Sequence, residues 1–505
     1  MKQSLKRLRE LDAEIHTLSH ISALLSWDQE TYLPAEGVED RAEQCELAEG
    51  LLYDRITCPQ AASLLESLGV DDGSPEGPPT ASLRDRAFLR EFYRRYRRKV
   101  RIPRRLVTEM AKQTAIAQRR WAQARKKADF SLFAPHLEVV LGLVKEMASA
   151  IGYQGHPYDA LLEDYEPYLG LEELERVFGR FEGRLKELFR RICSCGKKVR
   201  TDFLKRDYEV EKQKAFGLEV LEAMGYDFQR GRLDESVHPF TTTLGRSDIR
   251  LTTRYSRNYF PTGLFSIIHE GGHGLYELGI GEELQGSLLA DGTSMGIHES
   301  QSRLWENLIG RSLAFWEHFY PRLRALFPQA LAEVELESFY QAVNAVEPSF
   351  IRTEADEVTY NLHILLRFHL EKRLVGGELG VQDLPEAWNR ESRQLLGITP
   401  TDPAQGVLQD IHWSMGSFGY FPTYSLGNLY GAQFFKALRR ENPQIEEEIR
   451  GGNLGPILDW LRGKIHWAGK LYPAGELCRR VTGGPLDPDI FLEYLEAKYA
   501  GIYGV

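Results

Sequence analysis

Residues 265–276 contain the pattern His-Glu-x-x-His, at His269, Glu270 and His273. On an α-helix, residues four positions apart lie on the same face. The two imidazoles can therefore bind one ion, with Glu270 beside them. A catalytic zinc site takes three protein ligands and leaves one coordination position for water. The spacing predicts a helix that holds a metal ion.

The residues around the two histidines favour a helix that is buried on one side. Five apolar residues lie nearly opposite the histidines on a helical projection: Leu264, Ile267, Ile268, Leu275 and Leu278. We expect this side to pack into the core while the histidines face a cavity. Two adjacent glycines, Gly271 and Gly272, each cost a helix about 1 kcal/mol relative to alanine. Such a cost is more typical of a functional site than of a defect. The alternative is a chance match on a solvated helix.

The composition limits the class of protein. The chain has 505 residues, with 63 Lys and Arg against 73 Asp and Glu, and a net charge of −10. An acidic chain is not typical of a nucleic-acid-binding protein. Five scattered cysteines are an odd number, which a disulfide framework does not explain. The first residues do not form an apolar signal sequence, and no run is long enough to span a bilayer. We predict a soluble, cytoplasmic protein with reduced cysteines and with neither nucleic acid nor membrane as a partner.

Most of the chain has the periodicity of amphipathic helices, beginning with residues 5–15. Residues 71–82 are rich in proline, glycine and acidic residues and are predicted to form a surface loop. Residues 249–255 alternate between apolar and polar side chains, which predicts a small antiparallel sheet just before the metal helix. An edge strand of that sheet would hold an extended peptide by backbone hydrogen bonds.

Residues 84–105 form a strongly basic, mostly helical stretch in which arginines alternate with Phe88, Phe92, Tyr93 and Tyr96. One interpretation is a phosphate-binding patch. The other is a long solvated helix whose aromatic side chains pack inward, and the acidic total favours this second interpretation. A third possibility is that these charges attract the anionic ends of peptides towards a groove.

The third metal ligand is predicted on a second helix, in residues 296–306. Glu299, Ser302 and Glu306 lie on its polar face, opposite Ile297, Leu304 and Leu308. A carboxylate that is distant in sequence from His-Glu-x-x-His is typical of a His-His-Glu zinc site. Glu299 is the first candidate and Glu306 its competitor. The alternative is a polar face without a ligand.

Several motifs follow one another along the chain. They are His238-Pro239-Phe240; Asp248, Arg250 and Thr252; the metal helix; His298-Glu299-Ser300-Gln301; Ile351-Arg352-Thr353-Glu354-Ala355-Asp356; Gly406, Gln409, Asp410, His412 and Trp413; and the closing residues 480–486. Together these motifs resemble those of the carboxypeptidase Taq (M32) family of metallocarboxypeptidases. No motif position departs from the family pattern, and the resemblance extends over nearly the whole chain.

The resemblance implies a fold and a cofactor. The expected fold is mainly α, a large gluzincin-like, neurolysin-type helical metallopeptidase with a small sheet beside a deep active-site groove. We expect one catalytic domain over residues 1–505, with helical lobes on either side of the groove. The family also implies one Zn²⁺ per subunit, which Co²⁺ can replace, and a homodimer.

Site roles are implied residue by residue. His269, His273 and Glu299 would bind the metal, Glu270 would be the general base, and Arg352 would anchor the terminal carboxylate of the substrate. A guanidinium binds a carboxylate through two parallel hydrogen bonds. The alternative for Arg352 is a structural ion pair with Glu354 or Asp356.

The oxyanion of the tetrahedral intermediate needs hydrogen-bond donors besides the metal. The candidates are His412, Tyr420 and Tyr424, because related helical zinc peptidases use a histidine and a tyrosine from such a segment. We favour Tyr420 over Tyr424 for this role and place Tyr424 at the substrate. The alternative is an aromatic core segment with glycine turns. His238 and Arg250 either line the groove or tie the sheet to the helices.

These observations predict a zinc-dependent metallocarboxypeptidase that removes C-terminal residues from peptides with broad specificity. An oligopeptidase that cuts internal bonds of short peptides would use the same metal chemistry. An alternative of another class is a non-catalytic helical scaffold that binds peptides or nucleic acid.

Overall fold

The computed structural model describes residues 2–505, which fold mainly into α-helices. The α-helices are α1 (Lys2–Thr31), α2 (Val38–Ile56), α3 (Pro59–Ser67), α4 (Leu83–Arg101), α5 (Arg104–Lys127), α6 (Ala134–Ile151), α7 (Tyr158–Leu162), α8 (Leu171–Ser194), α9 (Val210–Met224), α10 (Phe260–Leu278), α11 (Met295–Arg303), α12 (Leu313–Leu326), α13 (Pro328–Leu331), α14 (Leu336–Val343), α15 (Thr359–Gly376), α16 (Leu384–Leu396), α17 (Pro422–Glu441), α18 (Ile445–Arg450), α19 (Gly455–Lys464), α20 (Ala474–Thr482) and α21 (Pro488–Tyr503). The strands are β1 (Gly231–Glu235), β2 (Thr241–Gly245) and β3 (Asp248–Thr253). The prediction of a mainly α fold with a small sheet is confirmed.

The three strands form one sheet in the order β1-β3-β2. β2 pairs with β3 in antiparallel orientation, but β1 pairs with β3 in parallel orientation. The sheet is therefore mixed, and the prediction of an antiparallel sheet was wrong for β1. Only a tight turn separates β2 from β3, so these two strands must be antiparallel. In the sheet, β3 lies between β1 and β2. β1 has the sequence GRLDE, which lacks the apolar alternation that marked β3.

α10 is the metal helix, and it lies between the sheet and α11. The predicted apolar side is buried, with Leu264, Ile267, Ile268, Leu275 and Leu278 all in the core. On the sheet, Ile249 and Leu251 of β3 are buried. Nearly all buried hydrophobic residues of the described chain form one contiguous cluster. The helix is thus held from both sides, and its histidines stay at the edge of the core.

The glycine pair in α10 has a packing reason. A Cβ atom on Gly272 would lie 2.7 Å from the backbone oxygen of Gln301 and 2.7 Å from the Cα atom of Ser302, both on α11. Only glycine allows the two helix backbones to come this close. The close approach brings Glu299 of α11 next to the histidines of α10, so the weaker helix propensity of glycine has a structural use.

The basic stretch of α4 and the start of α5 packs against acidic side chains of the same chain. Phe88 and Phe92 are buried, and Tyr93 and Tyr96 pack against the core. The ion pairs are Arg86 with Glu76, Arg90 and Arg94 with Glu91, Arg97 and Arg101 with Asp72, Arg98 with Asp164, and Arg105 with Glu146. These contacts support the interpretation of a structural helix with inward-facing aromatic residues. Within residues 2–505, the helices are too short or too polar to cross a membrane.

Candidate metal centre and active site

The three predicted metal ligands converge. One ligand atom from each of His269, His273 and Glu299 lies within 4.8 Å of the other two. The Nε2 atoms of His269 and His273 are 3.7 and 3.5 Å from Oε2 of Glu299. Two imidazoles and one carboxylate are a donor set that zinc binds in catalytic sites. The arrangement therefore fits a divalent metal ion held between α10 and α11.

Each imidazole uses its other ring nitrogen for a contact within the protein. Nδ1 of His269 is 2.9 Å from Oε2 of Glu306, and Nδ1 of His273 is 2.6 Å from Nδ1 of His298. His298 in turn contacts Oε1 of Glu277 through Nε2, at 2.8 Å. Such contacts fix the orientation of metal-binding histidines and leave the Nε2 atoms for the ion. Glu306, the competitor for the ligand position, thus lies behind His269.

Arg303 links the two carboxylates of this centre. Its Nε donates to Oε1 of Glu299 at 2.7 Å, and its Nη1 donates to Oε2 of Glu306 at 3.2 Å. Its guanidinium lies over the ring of Tyr360, 4.4 Å from the ring centroid. Because Oε1 of Glu299 is occupied by Arg303, its Oε2 is directed to the histidines.

Local charges set the protonation of these groups. Burial opposes charge on Glu299, but Arg303 and His269 hold the pKa of its carboxyl well below the usual value. Burial likewise opposes charge on Glu306, but Arg303 and His269 lower the pKa of Glu306 to about 2. Burial lowers the pKa of His273 to about 3. Burial also opposes charge on His269, but Glu299 and Glu306 raise the pKa of His269. A carboxylate and a neutral imidazole, the forms that Glu299 and His273 take here, are the forms that bind a metal ion.

Glu270 is held by the sheet. The hydroxyl of Thr241, on β2, donates to Oε2 of Glu270 at 2.6 Å. Burial raises the pKa of Glu270, while His269 and the bond from Thr241 lower it. A carboxyl with a raised pKa that lies beside a metal site is suited to accept a proton near neutral pH.

Arg352 is buried and pairs with Asp410. Its Nε and Nη2 lie 3.0 and 2.9 Å from Oδ1 of Asp410, and its Nη1 donates to the hydroxyl of Tyr360 at 3.1 Å. The structural alternative had named Glu354 or Asp356 as the partner, and neither is. Arg367 also binds Asp410, with Nε 2.7 Å from Oδ2. Two guanidinium groups therefore share one carboxylate.

His412, Tyr420 and Tyr424 lie together next to Arg352. Nε2 of His412 is 3.3 Å from the hydroxyl of Tyr424, and the ring centroids of Tyr420 and Tyr424 are 5.2 Å apart. Burial lowers the pKa of His412 to about 4 and raises the pKa of Tyr420 to about 12. At neutral pH the imidazole is neutral and both phenols keep their protons, so all three side chains are hydrogen-bond donors. Among residues 2–505, the buried Nδ1 of His412 has no partner.

The two weakest predicted site residues lie on the sheet. Arg250 donates to both oxygens of Asp248, at 2.8 Å each, and its guanidinium is 4.1 Å from the ring centroid of Trp27 on α1. These contacts favour the role of tying the sheet to a helix. His238 is exposed in the connection between β1 and β2.

A family model described as carboxypeptidase Taq (M32) metallopeptidase matches residues 7–499. The chain belongs to this family. Thermostable carboxypeptidase 1 of Thermus thermophilus is 46% identical over 511 aligned residues, which cover 99% of each chain. Carboxypeptidase 1 of Bacillus subtilis is 39% identical, over 99% of this chain and 98% of the relative.

Solved structures agree with the family assignment. The M32 carboxypeptidase from Deinococcus radiodurans R1 superposes with a TM-score of 0.95 at 38% identity, over 100% of both chains. A Pyrococcus furiosus carboxypeptidase superposes with a TM-score of 0.94 at 39% identity, over 99% of both chains. The protein is therefore a metallocarboxypeptidase, and the interpretation as a non-catalytic scaffold is not retained.

Several residues of this metallocarboxypeptidase site were not singled out from the sequence. Asp410 and His298 stand in motifs that were recognised, but their contacts were not predicted. Thr241, Arg303 and Glu371 carried no signal beyond being polar residues near those motifs.

Proposed function

We propose that this metallocarboxypeptidase removes residues one at a time from the free C-terminus of peptides, with broad specificity. The observation that carries the proposal is the convergence of His269, His273 and Glu299 within 4.8 Å, with Glu270 on the same helix as the histidines. Those three residues would hold one Zn²⁺ per subunit, for which Co²⁺ can substitute.

The metal would act as a Lewis acid that polarises the scissile carbonyl and acidifies a water molecule. Glu270 accepts the proton of the attacking water and passes it to the amine that leaves. The hydrogen bond from Thr241 keeps the carboxylate of Glu270 in one orientation throughout.

Arg352 binds the terminal carboxylate of the substrate. Arg352 and Arg367 bring two positive charges to Asp410, which supplies one negative charge. A buried group of charges with an excess positive charge is destabilised until an anion completes it. The C-terminal carboxylate supplies that anion, while Tyr424 lies against the guanidinium, with the ring centroid 5.0 Å from Cζ of Arg352.

His412 and Tyr420 donate hydrogen bonds to the oxyanion of the tetrahedral intermediate. Both side chains are donors at neutral pH. His412 lies near Arg352, and Tyr420 lies near both Glu299 and Arg352. Removal of one such donor typically lowers kcat by about 10²- to 10³-fold. For Arg250 we propose a structural role between sheet and helix, and for His238 a position on the rim of the groove.

The competing proposal is an oligopeptidase that cuts internal bonds of short peptides. The test is mass spectrometry of the products from one peptide with a free C-terminus and the same peptide with an amidated C-terminus, with zinc, with cobalt and after chelation. We expect a ladder of losses from the free C-terminus, little cleavage of the amide, and none after chelation. Equal cleavage of the amidated peptide would refute the role of Arg352.

We infer further that the chain is one catalytic domain with helical lobes on either side of a groove, which the single contiguous core supports. The family resemblance supports a homodimer, and light scattering during gel filtration tests it. Cytoplasmic location is supported by five cysteines that are all unpaired thiols.

A further inference from the structure

Glu371 is a fully buried carboxylate. It is neither a proposed metal ligand nor part of the proposed chemistry. It lies on α15 with 0% of its surface exposed. Its Oε1 accepts a hydrogen bond from Nε1 of Trp413 at 2.8 Å. Its Oε2 accepts from the backbone N–H of Gly419 at 3.1 Å and from the hydroxyl of Tyr158 at 2.8 Å. Three donors thus meet one carboxylate.

The first two of these donors are the chain neighbours of the proposed oxyanion donors. Trp413 follows His412 directly in the chain, and Gly419 directly precedes Tyr420. The single carboxylate of Glu371 therefore holds both ends of the segment from His412 to Tyr420, one end at each oxygen. The indole of Trp413 also stacks on Phe418 inside this segment, with the ring centroids 6.2 Å apart and the planes at 13°.

The backbone of Gly419, whose N–H bonds to Glu371, has a positive φ that residues with a side chain rarely adopt. Its φ is +92°, and a Cβ atom there would lie 2.9 Å from the backbone carbonyl carbon of Leu161. Both conditions favour glycine. The segment is thus pressed against the main chain of residue 161 on one side and anchored by Glu371 on the other.

Glu371 is one of three polar residues on the same face of α15 that hydrogen-bond to the residues of the proposed site. Tyr360, Arg367 and Glu371 are separated by seven and four residues, so they align along one side of the helix. Tyr360 contacts Arg352, Arg367 contacts Asp410, and Glu371 contacts Trp413 and Gly419. One rigid helix therefore holds the carboxylate anchor and the oxyanion donors at a fixed spacing.

We propose that Glu371 is a positioning residue that fixes His412 and Tyr420 relative to Arg352 through its bonds to Trp413 and Gly419. The inference rests on the proposed roles of His412 and Tyr420. Because donors aligned with the transition state lose effect when displaced by about 1 Å, weakening this anchor costs up to about 10²-fold in rate.

The chemistry of the three donors explains why a carboxylate is needed. Glutamine offers one acceptor oxygen and one NH₂ group, which is only a donor. In Glu371→Gln the NH₂ group must face either the indole N–H of Trp413 or the N–H of Gly419. One end of the segment then loses its anchor, while the volume of the side chain is unchanged.

The test compares Glu371→Gln with Tyr158→Phe. The second variant removes the donor that does not belong to the segment and leaves both anchors in place. We expect Glu371→Gln to lower kcat by about 10- to 100-fold with KM and metal content unchanged, because Arg352 and the metal ligands are held by other contacts. We expect kcat of Tyr158→Phe to stay within about twofold of wild type.

Three results would overturn the inference: wild-type kcat in Glu371→Gln, an equal loss of kcat in Tyr158→Phe, or a loss explained by higher KM or missing metal. If Glu371→Gln does not fold, Trp413→Phe removes the same bond from the partner side and keeps the aromatic stacking. It must show the same selective loss of kcat, and a wild-type kcat would overturn the inference.

Two further variants separate this inference from the proposed function. His412→Gln and Tyr420→Phe remove the oxyanion donors themselves. If both keep wild-type kcat, the proposed roles of these donors fail, and the inference fails with them. If both lose kcat while Glu371→Gln and Trp413→Phe retain it, only the inference about Glu371 is overturned.

Discussion

Single residues decide how each histidine of the metal centre is oriented. His269 contacts Glu306 and His273 contacts His298, so each ring has one nitrogen occupied by the protein. Glu306 is itself held by Arg303 and Arg311. The orientation of each proposed ligand thus depends on residues outside the proposed ligand set.

A substitution at Glu306 tests that dependence. Glu306→Gln keeps an acceptor for Nδ1 of His269 but removes the negative charge behind the ring. We expect metal affinity to fall by about 10- to 100-fold, as other changes behind metal-binding histidines do. Competition with a chelator of known affinity measures the change. Glu354→Gln alters an exposed glutamate elsewhere and should leave affinity unchanged. Wild-type affinity in Glu306→Gln would show that Glu306 does not support the ligand.

At this scale the sequence predicted the convergent residues, the two histidines from their helical spacing and Glu299 from the polar face of a second helix and the family resemblance. His269, His273 and Glu299 were named as ligands, with Glu306 as the competitor of Glu299, and these three named ligands are the residues that converge. The partner of Arg352 was not predicted, because Asp410 is 58 residues away in the chain. Spacing along a helix reveals contacts within a turn or two, whereas contacts between distant segments depend on packing.

Among the elements that carry neither a proposed ligand nor the proposed base, β2 contacts the proposed base directly. Alternate residues of a strand point to the same face. Thr241 contacts Glu270 and Thr243 contacts Oε2 of Glu277, at 3.1 Å. The sheet therefore holds the proposed base and also the acid behind His298.

Thr241→Val tests the role of β2 in tuning the base. Burial raises the pKa of Glu270 and the hydroxyl of Thr241 lowers it. Without the hydroxyl the pKa rises, so Glu270 becomes an active base only at higher pH. We expect the acidic limb of the pH profile of kcat/KM to move to higher pH. Thr243→Val is the matched control, because it alters the same strand but not Glu270. An unmoved acidic limb in Thr241→Val would contradict the assignment.

Helices were predicted well and the sheet only in part, for physical reasons. Long amphipathic helices have a strong periodic signal, and the apolar side of α10 is buried as expected. β1 contains five residues with little hydrophobicity and is a strand because β3 is available to pair with it. Its parallel orientation depends on the path of the chain between β1 and β3, and the local sequence of β1 does not encode that path.

Over the whole molecule, buried acids make stability depend on pH. Burial raises the pKa of Glu166 to about 8. Glu166 accepts a hydrogen bond from the backbone N–H of Gly296, at the start of the helix that carries Glu299, and its Oε2 has no partner among residues 2–505. Between pH 4.5 and 8 the unfolded chain releases a proton that the folded chain retains. This group therefore lowers the stability of the fold as pH rises.

Glu166→Gln should remove that dependence. We expect the variant to gain stability relative to wild type as pH rises from about 5 to 8, by at most about 1.4 kcal/mol per pH unit. Thermal unfolding at a series of pH values measures it. Glu172→Gln, at an exposed glutamate of α8, should give a difference that does not change with pH. A constant difference for Glu166→Gln as well would show that Glu166 is ionised in the folded protein.

The central claim is that three residues hold one metal ion and that Glu270 accepts the proton of the attacking water. The most direct test is the turnover of Glu270→Gln, measured on samples whose metal content is known. We predict one metal ion per chain, as in the wild type, and a loss of about 10²- to 10⁴-fold in kcat. Near-normal turnover with metal bound would contradict the account.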